Sequence, residues 1–180
     1  MSNDIESYRA FIVTTFKYSG GSDKDLCHCM HGILGEWLEF EEELRMMETY
    51  SDSFDPHIED EYVIHQKAAE KELGDMVYYT IMFGTIINHT PERFPVLREN
   101  SLETLADTFK KAMFYEIPHL HDEMKAALSN WWTKLCGIAE GLFSKDIQYF
   151  MDQNMEKLKK RYPTGAFTQE DALTKKDANV

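Results

Sequence analysis

A chain of 180 residues, 43% hydrophobic and 28% charged, has the length and composition of one folded domain, which excludes a disordered or fibrous protein. Its 19 Lys and Arg stand against 32 Asp and Glu, and the net charge of −13 would repel a phosphate backbone, so general nucleic-acid binding is not expected. The opening residues Met1-Ser2-Asn3-Asp4-Ile5-Glu6 put acids where a secretory signal needs positive charge, so a cytoplasmic location is expected.

Residues 4–17 read as a short helix, closed by Tyr18-Ser19-Gly20-Gly21. Ser22 offers a cap for a second helix, with Asp25 in the position a capping box reserves for Glu. Along that helix Leu26, Met30, Ile33, Trp37, Phe40, Leu44 and Met47 recur at steps of four and three, which gathers them in one narrow stripe. Cys27, Cys29 and Cys136 cannot all pair within one chain, and no disulfide framework is expected.

The period lapses over residues 49–60, where Ser, Asp and Pro56 predict a loop. A third helix follows from Glu59 to Asn88. Its run Met76–Ile87 is free of charge but only twelve residues long, against about 20 for a bilayer span, and therefore predicts a buried core helix. Thr90-Pro91 suggests a cap and first-turn proline for a short helical turn. Helical segments are then predicted over 101–115, ended by Pro118, and over 119–143 and 144–162, the last stopped by Pro163-Thr164-Gly165. Residues from about 168 to 180 read as a polar tail. With no alternating strand pattern and no repeat, the expected fold is one all-α domain over residues 1–180, a helix bundle.

Two acidic pairs stand out. Glu36 and Glu39 lie three apart on the second helix, at the edge of its apolar stripe, and Glu72 and Asp75 repeat the spacing where the third helix enters its charge-free run. If the two long helices face each other, E-x-x-E and E-x-x-D gather four carboxylates, a donor set that suits Mg²⁺ or Mn²⁺. Acid-rich helix faces are often merely solvated, but these acids border the core stripes. A third grouping, Asn154, Lys157 and Arg161 followed by Tyr162, shares one face of the last predicted helix and could hold phosphates, although bases there also complement the helix dipole.

Gly35-Glu36-Trp37-Leu38-Glu39, then Glu72-Leu73-Gly74-Asp75-Met76-Val77-Tyr78-Tyr79, then Asn154 through Pro163, in that order, resemble the all-α nucleoside triphosphate pyrophosphohydrolases of the MazG-like type across residues 22–175. The resemblance implies a Mg²⁺-dependent cleavage of a nucleoside triphosphate, usually a deoxynucleotide, to the monophosphate and pyrophosphate, in nucleotide-pool control. It makes Glu36, Glu39, Glu72 and Asp75 the metal-binding carboxylates; the chemistry of the hydrolysis also needs a carboxylate to orient the water, a role in which Glu39 is cast. The resemblance makes Asn154, Lys157, Arg161 and Tyr162 nucleotide contacts and implies a homodimer or dimer of dimers. Lys111 and Tyr115 resemble a further basic-aromatic segment of phage-type members. Leu38 stands where many relatives have Gly, and 32 residues separate Glu39 from Glu72, a longer gap than usual, which makes Glu43 an acid that could substitute or join.

Two other readings compete. A carboxylate-bridged di-metal bundle wants two Glu-x-x-His pairs, and only Glu116 and His119 fit, across Pro118. The cluster Cys27-His28-Cys29-Met30-His31 has its cysteines too close for a usual zinc motif. An acidic interaction or decoy protein would scatter its acids over the exterior instead of aligning them with core stripes.

Overall fold

The computed structural model describes residues 2–18, 22–51, 56–95, 100–115 and 120–174. Seven helices follow in order: α1 (Ser2–Thr15), α2 (Ser22–Ser51), α3 (Pro56–Ile86), α4 (Ser101–Tyr115), α5 (Leu120–Phe143), α6 (Ile147–Arg161) and α7 (Gln169–Thr174). Among the described residues there is no strand, and the fold is all-α. No described helix is long and apolar enough to cross a membrane.

Helices α2 and α3 form the backbone of the bundle and run antiparallel, each about 45 Å long at 1.5 Å per residue. The pairings between them fix the direction: Gly32 lies against Tyr79, Glu36 against Glu72 and Glu43 against His65, so numbers rise on one helix as they fall on the other. The stripe expected on α2 is the stripe it buries, with Leu26, Met30, Ile33, Phe40 and Met47 inside and Trp37 and Leu44 half-covered. On α3, Met76, Val77, Ile81, Met82 and Phe83 are wholly enclosed. Helix α3 also carries α5 and α6, α4 packs on α5, and α1 rests on α3 and α6.

Trp131 of α5 lies at the centre. Its indole N–H donates to Thr80 Oγ1 at 3.0 Å, and Trp37 meets its ring edge-on at 5.5 Å. Burying an indole without a partner would leave a polar N–H stranded, and the α3 hydroxyl removes that cost. Trp131 and Trp132 are core residues.

Three expectations fail locally. Of the loop expected over residues 49–60, residues 49–51 belong to α2 and residues 56–60 to α3, and residues 52–55 lie outside the described residues. The Thr49 and Ser51 hydroxyls turn back onto the Arg45 and Glu48 carbonyls, and proline at a first helical position sacrifices no helical bond. Thr90-Pro91 starts no helical turn: the segment after α3 is extended along α5, with the Glu92 N–H donating to Ser129 Oγ at 3.1 Å and the Phe94 N–H to Thr133 Oγ1 at 2.9 Å. Thr90 instead donates its hydroxyl to Glu6 at 3.1 Å. The tail expected from residue 168 holds α7, whose start is a reciprocal cap: Thr168 Oγ1 donates to Asp171 Oδ2 at 2.6 Å and accepts the Asp171 N–H at 3.0 Å. Residues 116–119, including Glu116, Pro118 and His119, lie outside the described residues.

Candidate functional site

A cavity of about 470 Å³ opens where α2, α3 and α6 meet the end of α1 and the C-terminal segment. Its acidic end is built by the antiparallel register of the two long helices. Glu36 and Glu39 face Glu72 across the α2–α3 seam, and ligand oxygens of the three approach within 4.8 Å of one another. Glu72 is buried, Glu36 half-buried and Glu39 exposed. Among the described residues this is the one grouping of three side chains able to hold a metal ion, so the Cys27-to-His31 cluster forms none.

The electrostatic consequence falls on Glu36. Burial, a hydrogen bond to Glu72 and the charges of Asp75, Glu72 and Glu39 push its carboxyl up to about 9. At neutral pH Glu36 therefore keeps a proton that a divalent cation would displace. Lys71 reaches Glu72 at 3.1 Å; burial works against its charge, but the acids raise its pKa on balance.

Asp75 stands apart from the trio, one turn further along α3. The expected cluster of four carboxylates is thus three plus one. Its oxygens are engaged from α6, where Asn154 Nδ2 donates to Oδ1 at 2.6 Å and the Lys157 ammonium pairs with Oδ2. Asn154 is itself fixed by α1, because the buried Tyr8 hydroxyl donates to its Oδ1 at 2.8 Å and so turns the amide N–H₂ toward Asp75. Burial raises the Asp75 pKa, with the Lys157 charge opposing.

Beyond Asp75 the walls become basic and aromatic. Lys157 and Arg161 are one turn apart on the cavity side of α6, and Tyr78, Tyr79 and Tyr162 stand nearby. Burial pushes the Tyr78 and Tyr79 hydroxyls up, and the charges of Glu36 and Asp75 add to the effect on Tyr79, so both stay protonated donors at neutral pH.

The cavity brings together eight of the residues singled out in the sequence: Glu36, Glu39, Glu72 and Asp75 on the acidic side, Asn154, Lys157, Arg161 and Tyr162 on the other. Lys111 is not brought there. It is exposed on α4 and pairs with Asp107 one turn back at 2.5 Å, and Tyr115 is exposed on the same helix. Glu43 does not join the trio either; it meets His65 Nδ1 at 2.6 Å, with Tyr50 stacked on that imidazole. Sequence reasoning missed Tyr8, Lys17, His28, Lys71, Phe167 and the placement of Tyr78 and Tyr79. Lys71 and the tyrosines adjoin the E-x-x-D motif and were within reach of a wheel argument, whereas Tyr8 meets a partner 146 positions away and carries no local signal.

No protein-family model matches the chain, and no curated protein or solved structure is significantly similar to it.

Proposed function

We propose that this protein is a Mg²⁺-dependent nucleoside triphosphate pyrophosphohydrolase, cleaving a nucleotide, a deoxynucleotide by the sequence resemblance, to the monophosphate and pyrophosphate in nucleotide-pool control. The observation that carries the reading is the under-neutralised trio Glu36, Glu39 and Glu72 at one end of a cavity whose opposite wall holds Lys157 and Arg161. An all-oxygen donor set of carboxylates from two rigid helices fits a hard divalent cation, Mg²⁺ or Mn²⁺. When bound, such an ion neutralises phosphate charge and makes a nearby water more acidic.

The chain's own residues supply the rest. Lys157 and Arg161 hold phosphate oxygens, Arg161 by its planar fork and Lys157 as a point charge aligned by Asp75. Tyr78 and Tyr79 donate hydroxyl hydrogens toward the same anion. Glu39, the most exposed of the trio, orients a water and takes its proton as the water oxygen bonds to phosphorus. The bridging P–O bond breaks on the opposite side, and its electron pair leaves with pyrophosphate, whose charge Lys71 stabilises on the acidic side of the cavity, so that Lys157 and Arg161 keep the phosphate next to the sugar. Asn154, locked by Tyr8, keeps Asp75 and Lys157 in place through turnover.

A pyrophosphate-release screen over common and modified nucleotides, with and without Mg²⁺ or Mn²⁺, tests the reading; no release from any of them overturns it. The same reading has the protein cytoplasmic and working as a dimer or a dimer of dimers. Exposed Leu38 and Ile64 on the two long helices offer apolar surface for a second copy. Light scattering at about the 21.1 kDa of one chain, at low micromolar concentration, would refute the oligomer.

A further inference from the structure

Three helices carry the cavity away from its acids in step. On α2, His28 lies two turns before Glu36, about 12 Å at 1.5 Å per residue; on α3, Tyr79 lies one turn past Asp75; on α6, Arg161 lies one turn past Lys157. The order along the cavity is thus acids, then the Asp75–Lys157 pair, then Tyr79 with Arg161, then His28.

This far end is aromatic and held rigidly. The His28 ring stacks on Phe16 with centroids 5.0 Å apart, lies 5.8 Å from Tyr79 and hydrogen-bonds the Lys17 backbone. Tyr79 lies directly on the α2 backbone, since a Cβ at Gly32 would stand 2.5 Å from its ring atoms. The remaining wall comes from the segment that follows α6. After the Gly165 turn (φ +74°), the Phe167 N–H donates to the Thr14 carbonyl at 3.0 Å, and the Thr168–Asp171 cap anchors α7 behind it. The Phe167 ring lies 5.6 Å from Tyr162, with the Lys17 ammonium 5.8 Å from its centroid.

We propose that His28 and Phe167 wall a slot for the flat, heteroaromatic base of the substrate, which makes the C-terminal segment a part of the substrate site and these two residues determinants of base specificity. The inference rests on the hydrolase reading above. With phosphates held at Lys157 and Arg161 beside the acids, the group at the other end of a nucleotide reaches the aromatic end, and aromatic rings receive a base by stacking. Burial lowers the His28 pKa, so at neutral pH the imidazole keeps one unprotonated nitrogen, an acceptor for an amino or imino N–H on the base edge.

The test is a titration calorimetry series with Mg²⁺, using the α,β-imido analogues of the common ribo- and deoxynucleoside triphosphates against inorganic tripolyphosphate, which has the phosphates and no base. The wild type is expected to bind at least one analogue about tenfold or more tighter than tripolyphosphate. Phe167→Leu, which keeps an apolar side chain but loses the ring, and His28→Leu should each cut that ratio roughly 5- to 100-fold, the range of one base–aromatic stack. Equal wild-type affinities, or variants that weaken both ligands alike, would overturn the slot and leave the hydrolase standing. A wild type that binds neither ligand overturns both. If Phe167→Leu melts below the assay temperature, His28→Leu decides alone.

Discussion

Glu36→Gln should make the metal-free protein more stable, and the gain should depend on pH. In the folded state the Glu36 carboxyl is pushed up to about 9 by burial, by its hydrogen bond to Glu72 and by three neighbouring acids, while the unfolded chain titrates in the ordinary carboxylate range. Between those values the native state binds the extra proton, so stability is full below the ordinary range and falls as pH rises toward 9. At 1.36 kcal/mol per pH unit the loss by pH 8 would approach about 5 kcal/mol for a fully desolvated group. Glu36 is only half-buried, and solvent screening reduces the figure to about 1 to 2 kcal/mol. Gln keeps the shape and a hydrogen bond without the charge. At about 2 to 4 °C per kcal/mol for a domain of this size, Tm in EDTA at pH 8 should rise by roughly 2 to 8 °C, and the gap should close near pH 4.5. Saturating Mg²⁺ should reverse the order, since a cation that binds the folded form at a hundred times its Kd adds about 2.7 kcal/mol, mainly to the wild type. Scanning calorimetry at both pH values, with EDTA and with Mg²⁺, checks each arm. A variant no more stable than wild type in EDTA at pH 8, or a gap that persists at pH 4.5, would refute the reasoning.

Glu72→Ala and Asp75→Ala should abolish pyrophosphate release while far-ultraviolet circular dichroism keeps its helical signature; wild-type turnover by either removes that residue from the site. Arg161→Ala should lower kcat/KM about ten- to a hundredfold, the loss of one charge-assisted contact of about 1.5 to 3 kcal/mol, without changing the Mg²⁺-induced Tm shift measured in the absence of nucleotide. A destabilised Arg161→Ala enzyme with normal kinetics would instead make the basic end of α6 a dipole cap. Gly84→Ala should cost about 1 to 3 kcal/mol, because its Cβ would stand 2.5 Å from the His89 carbonyl oxygen and 3.3 Å from Leu128 and Pro91; an unchanged Tm would contradict that packing.

Features that depend on spacing along one helix are legible in the sequence itself. The steps of four and three from Leu26 to Met47 specify which face of α2 is buried, since a 3.6-residue period leaves no second choice, and the charge-free run of α3 places that helix in the core. The same arithmetic puts Glu36 beside Glu39, Glu72 beside Asp75, and Asn154, Lys157 and Arg161 on one face of α6. What spacing does not contain is register between helices. Whether Glu36 meets Glu72, and whether Glu43 joins them or is taken by His65, depends on how two long antiparallel helices slide past each other, which their packed side chains decide collectively. Tyr8 and Asn154 are joined through the packing of α1 on α6. Asp75 leaves the trio because α6 delivers Lys157 and Asn154 to it. Phe167 follows the predicted end of the last helix and carries no periodic signal, yet it is drawn into the cavity wall by one backbone hydrogen bond to α1 and a cap on α7. Local periodicity supplied the parts of the site, and the long-range contacts among α1, α3, α6 and the C-terminal segment decided which of them face the same cavity.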